Sequence, residues 1–195
     1  MKNQLTFSQY RAIDLSLFAL MFAIFEFIIV RVSTRGIFFD PAYTVSLAGA
    51  IISIVYMRWG YWGGIHAALA GLLFTFYYGG RLDQYAIYII GNLLSLLAVP
   101  VLLRKGKETV RTGRFSSLLF PLAVCLLMQL GRAVVSLALG GSLGGASGFF
   151  TTDALSIVFT LVIVWIARRL DGIYEDQKHY LLRIQEEQIE QNEKE

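Results

Sequence analysis

Arg132 stands inside the apolar run Ser116–Leu139, where a charge has no ordinary solvent. A guanidinium at the centre of a hydrocarbon layer costs about 2.5–3.5 kcal/mol, and less near an interface, so it must face a cavity, a carboxylate or a ligand. Two carboxylates lie in comparable apolar surroundings, Asp153 and Glu26. Asp153 follows Thr151 and Thr152, so its position also fits an N-terminal helix cap that favours a negative charge. Glu26 either faces the same cavity as Arg132 or pairs with Arg31 or Arg132. Arg132 therefore has two sound uses. It can hold a bundle together through an ion pair, or its planar fork can receive the carboxylate or polar heterocycle of a solute.

Polar residues recur around these charges at helical spacing. One run carries Tyr85, Tyr88, Asn92 and Ser95, the next Gln129, Arg132 and Ser136, and the last Asp153, Ser156 and Thr160. Each set follows the i, i+3, i+7 rule for one helix face. The candidate solute-binding set is Asn92, Gln129, Arg132, Ser136, Asp153, Ser156, Tyr85, Tyr88 and Glu26. Tyr77, Tyr78, Phe149 and Phe150 flank the same region, as an aromatic lid or as the usual interfacial belt. Gly140–Gly148 holds five glycines and reads as a flexible connector or a gate. Nothing points to catalysis, a metal or a cofactor. Cys125 is the single cysteine, His66 and His179 stand alone, and the sequence carries neither a phosphate loop nor a dinucleotide fingerprint.

The elements that must position these residues follow from composition. The 195-residue chain is 56% hydrophobic and 16% charged, against about 45–50% and about 25% in soluble domains. Spanning a bilayer takes roughly 20 apolar residues. Six segments are predicted as spans: Ile13–Val32, Tyr43–Met57, Gly63–Tyr78, Tyr85–Leu103, Ser116–Leu139 and Thr152–Ile166, of which the second, third and sixth are short. Arg58–Gly63 makes the second and third a tight hairpin. The first run exceeds a signal-peptide core and lacks its cleavage pattern, so it is expected to stay in the chain. With both ends cytoplasmic, 13 of the 17 Lys and Arg residues fall on the inner side, the strongest group being Arg104–Arg114. The expected fold is thus an all-α integral membrane protein, a six-helix bundle over residues 1–170 with N- and C-termini inside. Residues 171–195 carry eight acids against three bases and are expected to form a short cytoplasmic helix and acidic tail. The net charge of +3 gives no reason to expect nucleic acid.

The first three spans carry small residues instead of polar ones: Ala12, Ser16, Ala19 and Ala23, then Ser46, Gly49, Ala50 and Ser53, then Gly64, Ala67, Ala68 and Gly71. Small faces allow close helix approach in lipid, either among themselves or with a partner. The expected division is three small-faced helices for packing or docking and three polar-faced helices for holding a solute.

In its six predicted spans, its size and the Ala19-Leu-Met-Phe-Ala23 segment, the chain resembles the substrate-binding S component of energy-coupling factor (ECF) transporters, prokaryotic vitamin importers. The resemblance covers residues 10–170. It implies a multi-pass protein of the prokaryotic plasma membrane. That protein captures a vitamin-like small molecule from outside and works with a transmembrane coupling subunit and two ATPase subunits. It implies further that the Ala12, Ser16, Ala19 and Ala23 face contacts the coupling subunit and that the last three helices enclose the ligand. Lacking a phosphate loop, the chain itself is not expected to be an enzyme. The alternatives are a membrane scaffold of cell-envelope assembly similar to MreD and a membrane sensor subunit. An intramembrane enzyme would require a catalytic pair that His66 alone does not provide.

Overall fold

Thr6 begins the first helix with a capping box: its hydroxyl accepts from the Gln9 amide at 3.3 Å while its own amide donates to the Gln9 side chain at 2.9 Å. Helix α1 then runs Phe7–Val32. Its fully buried residues, Phe22, Glu26 and Val30, repeat every four positions, so one narrow face packs inward and the rest carries exposed apolar side chains. The computed structural model describes residues 6–33, 44–170 and 172–192, and all regular structure among them is helical.

Helix α2 (Ala48–Trp59) is buried at every position and forms the centre of the molecule. A 3₁₀ turn at Gly60–Gly63 reverses the chain into α3 (Gly64–Tyr77). Gly60 has φ +59°, a left-handed conformation that glycine adopts without steric penalty. Helix α4 (Leu82–Leu93) passes through a 3₁₀ stretch at Leu94–Leu97 into α5 (Ala98–Lys105). Pro100, which has no amide hydrogen, follows that tightened stretch. After a turn at Gly106 come the surface helix α6 (Lys107–Thr112) and the long α7 (Ser116–Ala138). Helices α8 (Leu143–Thr152) and α9 (Ala154–Ala167) are separated by Asp153, and α10 (Gln177–Asn192) follows.

Four helical stretches are long and apolar enough to cross a membrane: Phe7–Val32, Leu82–Lys105, Ser116–Ala138 and Leu143–Ala167. That is the signature of a membrane protein. Helices α2 and α3 fall short of that length. At 1.5 Å per residue they measure about 18 and 21 Å, against a hydrocarbon layer about 30 Å thick. The expected starts of the second span at Tyr43 and of the acidic tail at Asp171 lie outside the described residues, as do Asp40 and Pro41.

The Gly-rich stretch departs from its expectation as a connector, because most of it is helical. Ser142 caps α8 by accepting from the Gly145 amide at 3.1 Å. The hydroxyls of Ser147, Thr151 and Thr152 bond back to carbonyls three or four residues earlier. Where water is scarce the backbone must satisfy its own hydrogen bonds, and this outweighs the poor helix propensity of glycine. Only the turn at Gly140, with φ +87°, keeps the glycine-specific conformation. The sixth apolar segment is correspondingly longer than expected, with its break at Asp153.

The closest backbone approach also differs from the expected division. A side chain at Gly131 would collide with the carbonyl of Gly91, and one at Gly91 with the backbone of Arg132. The tight glycine crossing thus joins α4 to α7, two of the helices expected to be polar-faced. Gly71 of α3 likewise lies against the backbone of Tyr88 in α4. Close packing and polar residues share the same helices.

Candidate functional site

The Gly91–Gly131 crossing sets Asn92 beside Arg132. From α7, Arg132 Nε donates to Asn92 Oδ1 at 2.8 Å and Nη1 donates to Gln129 Oε1 at 3.1 Å. Nη1 also pairs with the carboxylate of Asp153, both side chains being less than a tenth exposed. Gln129 completes a triangle by donating Nε2 to Asp153 Oδ2 at 2.7 Å. Asn92 anchors the other side through Nδ2 to the Ala67 carbonyl of α3 at 3.2 Å. Three helices and the α8–α9 junction therefore meet at one guanidinium. Asp153 occupies the N-cap position of α9 but makes no capping bond there. Its carboxylate serves the cluster.

A second chain of bonds runs from Asp153 towards α1. The Thr44 hydroxyl donates to Asp153, and the Thr44 amide donates to the Thr152 carbonyl at 3.0 Å. Ser156 donates to the Thr44 carbonyl and accepts from the Ser46 amide, each at 3.0 Å. Glu26 accepts from the Leu47 amide at 3.0 Å. Glu26 thus supports the segment entering α2 through Leu47 and Ser46, and of its expected alternatives a hydrogen-bonded pair with Arg31 or Arg132 is not formed. Arg31 lies over the Phe27 ring.

Aromatic rings form one wall. The Arg132 guanidinium sits 4.7 Å from the centre of Tyr88. Tyr88 in turn contacts Phe74 and the edge of Phe149, and Phe74 contacts Tyr78. Of the expected binding set, Asn92, Gln129, Arg132, Asp153 and Tyr88 come together directly, and Ser156 and Glu26 join through Thr44, Ser46 and Leu47. Tyr85 makes no polar contact with this group, and neither does the buried Ser136. Phe150 is surface-exposed, and Tyr77 donates to the Ala23 carbonyl at 3.1 Å, outside the cluster. The free volume at the cluster is about 20 Å³, bounded by Gly49, Cys125, Met128 and Thr160 beside the polar groups.

At the opposite end of the bundle sits a second buried guanidinium that spacing did not reveal. Arg58 of α2 donates to both carboxylate oxygens of Asp14 in α1, at 2.9 and 2.6 Å. It also donates to the backbone carbonyls of Gly172 and Ile173. Trp59 donates to the same Asp14 carboxylate. Gln177 donates to the Gly172 carbonyl and accepts from the Tyr10 hydroxyl. Asp14 and Arg58 are 44 residues apart, and no periodicity links an α1 position to the hairpin tip.

The small-residue face of α1 is partly open. Ala12 and Ser16 are exposed and Ala19 and Ala23 half-buried, and the first three border a shallow groove shared with Trp62, Ile65 and His66 of the hairpin. His66 is tied to the Leu15 carbonyl at 3.1 Å. No trio of His, Cys, Asp or Glu suited to a metal exists among the described residues. No protein-family model, curated protein or solved structure matches the chain.

Proposed function

We propose that this protein is the solute-capturing membrane subunit of an ECF-type importer. It crosses the prokaryotic plasma membrane six times with both termini cytoplasmic, and it takes up a vitamin-like molecule that bears a carboxylate or strong acceptor beside a ring. One observation carries the proposal: Arg132 is buried within the long apolar helix α7 among partners that are all side chains, Asn92, Gln129 and Asp153. Side chains can rotate away in favour of a ligand acceptor, which backbone carbonyls cannot do. The bonds run through Nε and Nη1, leaving the Nη2 edge of the fork outside them, and the Tyr88 ring supports stacking. Asp153 lies at the junction of two helices, so a shift of α8 would draw its carboxylate off Arg132 and open room for the solute.

The topology draws on the same helices. Four stretches are long and apolar enough to cross; an even number of crossings would bring both termini to one side, and the α2–α3 hairpin would preserve that parity whether it crossed fully or re-entered. The Lys and Arg bias puts that side in the cytoplasm. The coupling subunit would seat on the partly open face of Ala12, Ser16, Ala19 and Ala23, and ATP hydrolysis would come from two partner subunits.

An envelope-assembly scaffold similar to MreD is the alternative, and one observation favours it. The Arg132–Asp153 pair is closed on itself, with only about 20 Å³ free beside it. A thermal-stability screen of the purified protein against vitamins and nucleobases separates the two, because a bound ligand raises the midpoint by mass action. The importer subunit should respond to one compound class, lose that response in Arg132→Ala, and copurify with an ATPase module. No response to any compound, with no ATPase partner, would leave the scaffold.

A further inference from the structure

The cations at the α6 end of the bundle fall into two groups. Arg58 is saturated by Asp14 and backbone carbonyls. Lys107 pairs with Asp176, Arg111 with Glu108 and Glu175, and Arg183 with Glu175. Arg168 donates to Ser117 and lies over Trp165. Arg104, Lys105 and Arg114 are exposed and make no ion pair among the described residues, as is also true of Arg169 and Lys178 after α9, but only these three flank the ends of α5 and α7. They cluster in sequence at the end of α5 and the start of α7, the two helices that border an apolar groove of about 320 Å³. Lys105 and Ser116 stand at its polar end, and its walls include Leu97, Val101, Leu119 and Phe120. Leu97, Val101 and Leu119 are each more than half exposed. Along the groove α5 follows the 3₁₀ stretch at Leu94–Leu97, and α7 carries Pro121 next to Phe120.

We propose that this groove is a discrete site for one anionic phospholipid of the leaflet on the α6 side. An acyl chain lies along Val101 and Leu119, and the phosphate meets Lys105, assisted by Arg104 and Arg114. The occupant follows from the chemistry of the two ends. An apolar trough with exposed walls accepts a hydrocarbon chain, and the unpaired Lys105 that lines it, with Arg104 and Arg114 close by in sequence, selects a negative headgroup over a zwitterionic one. Paired cations such as Lys107 and Arg111 contribute little, since their charge is already met. The site is independent of the solute cluster, which lies at the other end of α7.

Native mass spectrometry of the full chain tests this, with phosphatidylglycerol and phosphatidylcholine of identical acyl chains added in uncharged detergent. One phosphatidylglycerol should be retained in preference to phosphatidylcholine, and each of Arg104→Ala, Lys105→Ala and Arg114→Ala should weaken retention about fivefold. Leu119→Trp should fill the trough and abolish retention with all three cations present; an unchanged thermal midpoint in lipid-free detergent shows that it still folds. Glycerol phosphate, the headgroup without chains, should not compete. Equal retention of the two lipids, an unchanged preference in the triple variant, or effective competition by glycerol phosphate would each overturn the site.

Discussion

Two buried arginines stand at opposite ends of this bundle, and their partners differ in kind. Arg58 spends its donors on a bidentate carboxylate and on the carbonyls of Gly172 and Ile173, which the chain itself fixes in place. It ties α1, α2 and the segment after α9 into one unit. Arg132 spends its donors on Asn92, Gln129 and Asp153, three side chains from three elements. The chemistry is the same, an arginine against a carboxylate with both nearly dry. One arrangement is a staple, because two of its acceptors are backbone carbonyls that cannot move. The other can exchange partners, because each acceptor sits on a rotatable stem. Burial alone therefore does not separate the two arginines, whereas the freedom of their partners does.

The largest effect is expected at the staple. Replacing both members with apolar residues, Arg58→Met with Asp14→Leu, removes the buried charges. It leaves the Ile173 carbonyl and the Trp59 N–H without their partners, while the Gly172 carbonyl keeps its bond from Gln177. Each of these two orphaned groups costs about 1–3 kcal/mol, so the double variant should lose about 2 kcal/mol or more, read as a lowered unfolding midpoint in detergent. Full stability in that variant would break the comparison.

The matching replacement at the other end, Arg132→Met with Asp153→Leu, should behave differently. Well-packed apolar residues in place of a buried ion pair are often neutral or stabilising. Gln129, Asn92 and Thr44 can then reorient towards one another, so the loss should be about 1 kcal/mol at most, with ligand response gone. A collapse as large as that at Arg58 would make Arg132 a second staple and favour the scaffold.

The contrast also marks how far sequence carries. The Arg132 cluster was legible because Gln129, Arg132, Asn92 and Asp153 interrupt apolar runs at helical intervals, and a charge in such a run demands a partner. Thr44 was not, since its role depends on where the segment entering α2 meets the α8–α9 junction. The Gly91–Gly131 crossing was hidden for another reason: a glycine amid polar residues looks neutral until a second backbone is placed against it. The helix in the Gly-rich stretch was missed because propensity favours a loop there, and the decisive terms, the Ser142 cap and the hydroxyl back-bonds, are local geometry. Asp14 and Arg58 each resemble an ordinary interfacial charge, and only the folded hairpin brings them together.

The smallest effect is expected among the surface charges beside the staple, where Arg111 holds Glu108. Its hydrogen bond to the Arg111 guanidinium keeps the Glu108 carboxyl below the usual glutamate range. A carboxylate whose pKa is lowered by folding contributes stability above its unfolded pKa, and that contribution fades as pH falls through its folded pKa. Glu108 is two-thirds exposed, so screening reduces the interaction to the scale of a surface pair, below about 1 kcal/mol. Glu108→Gln should therefore lower the unfolding midpoint slightly at neutral pH. The difference from the parent should vanish in acid, below the folded pKa, and shrink with added salt. The Arg58 double variant should remain destabilised throughout the same acid and salt series, because an orphaned backbone carbonyl and indole N–H neither titrate nor screen. If the two variants instead lose their effects together, the buried staple depends on the surface charges around it, and partner mobility does not account for the difference between the two arginines.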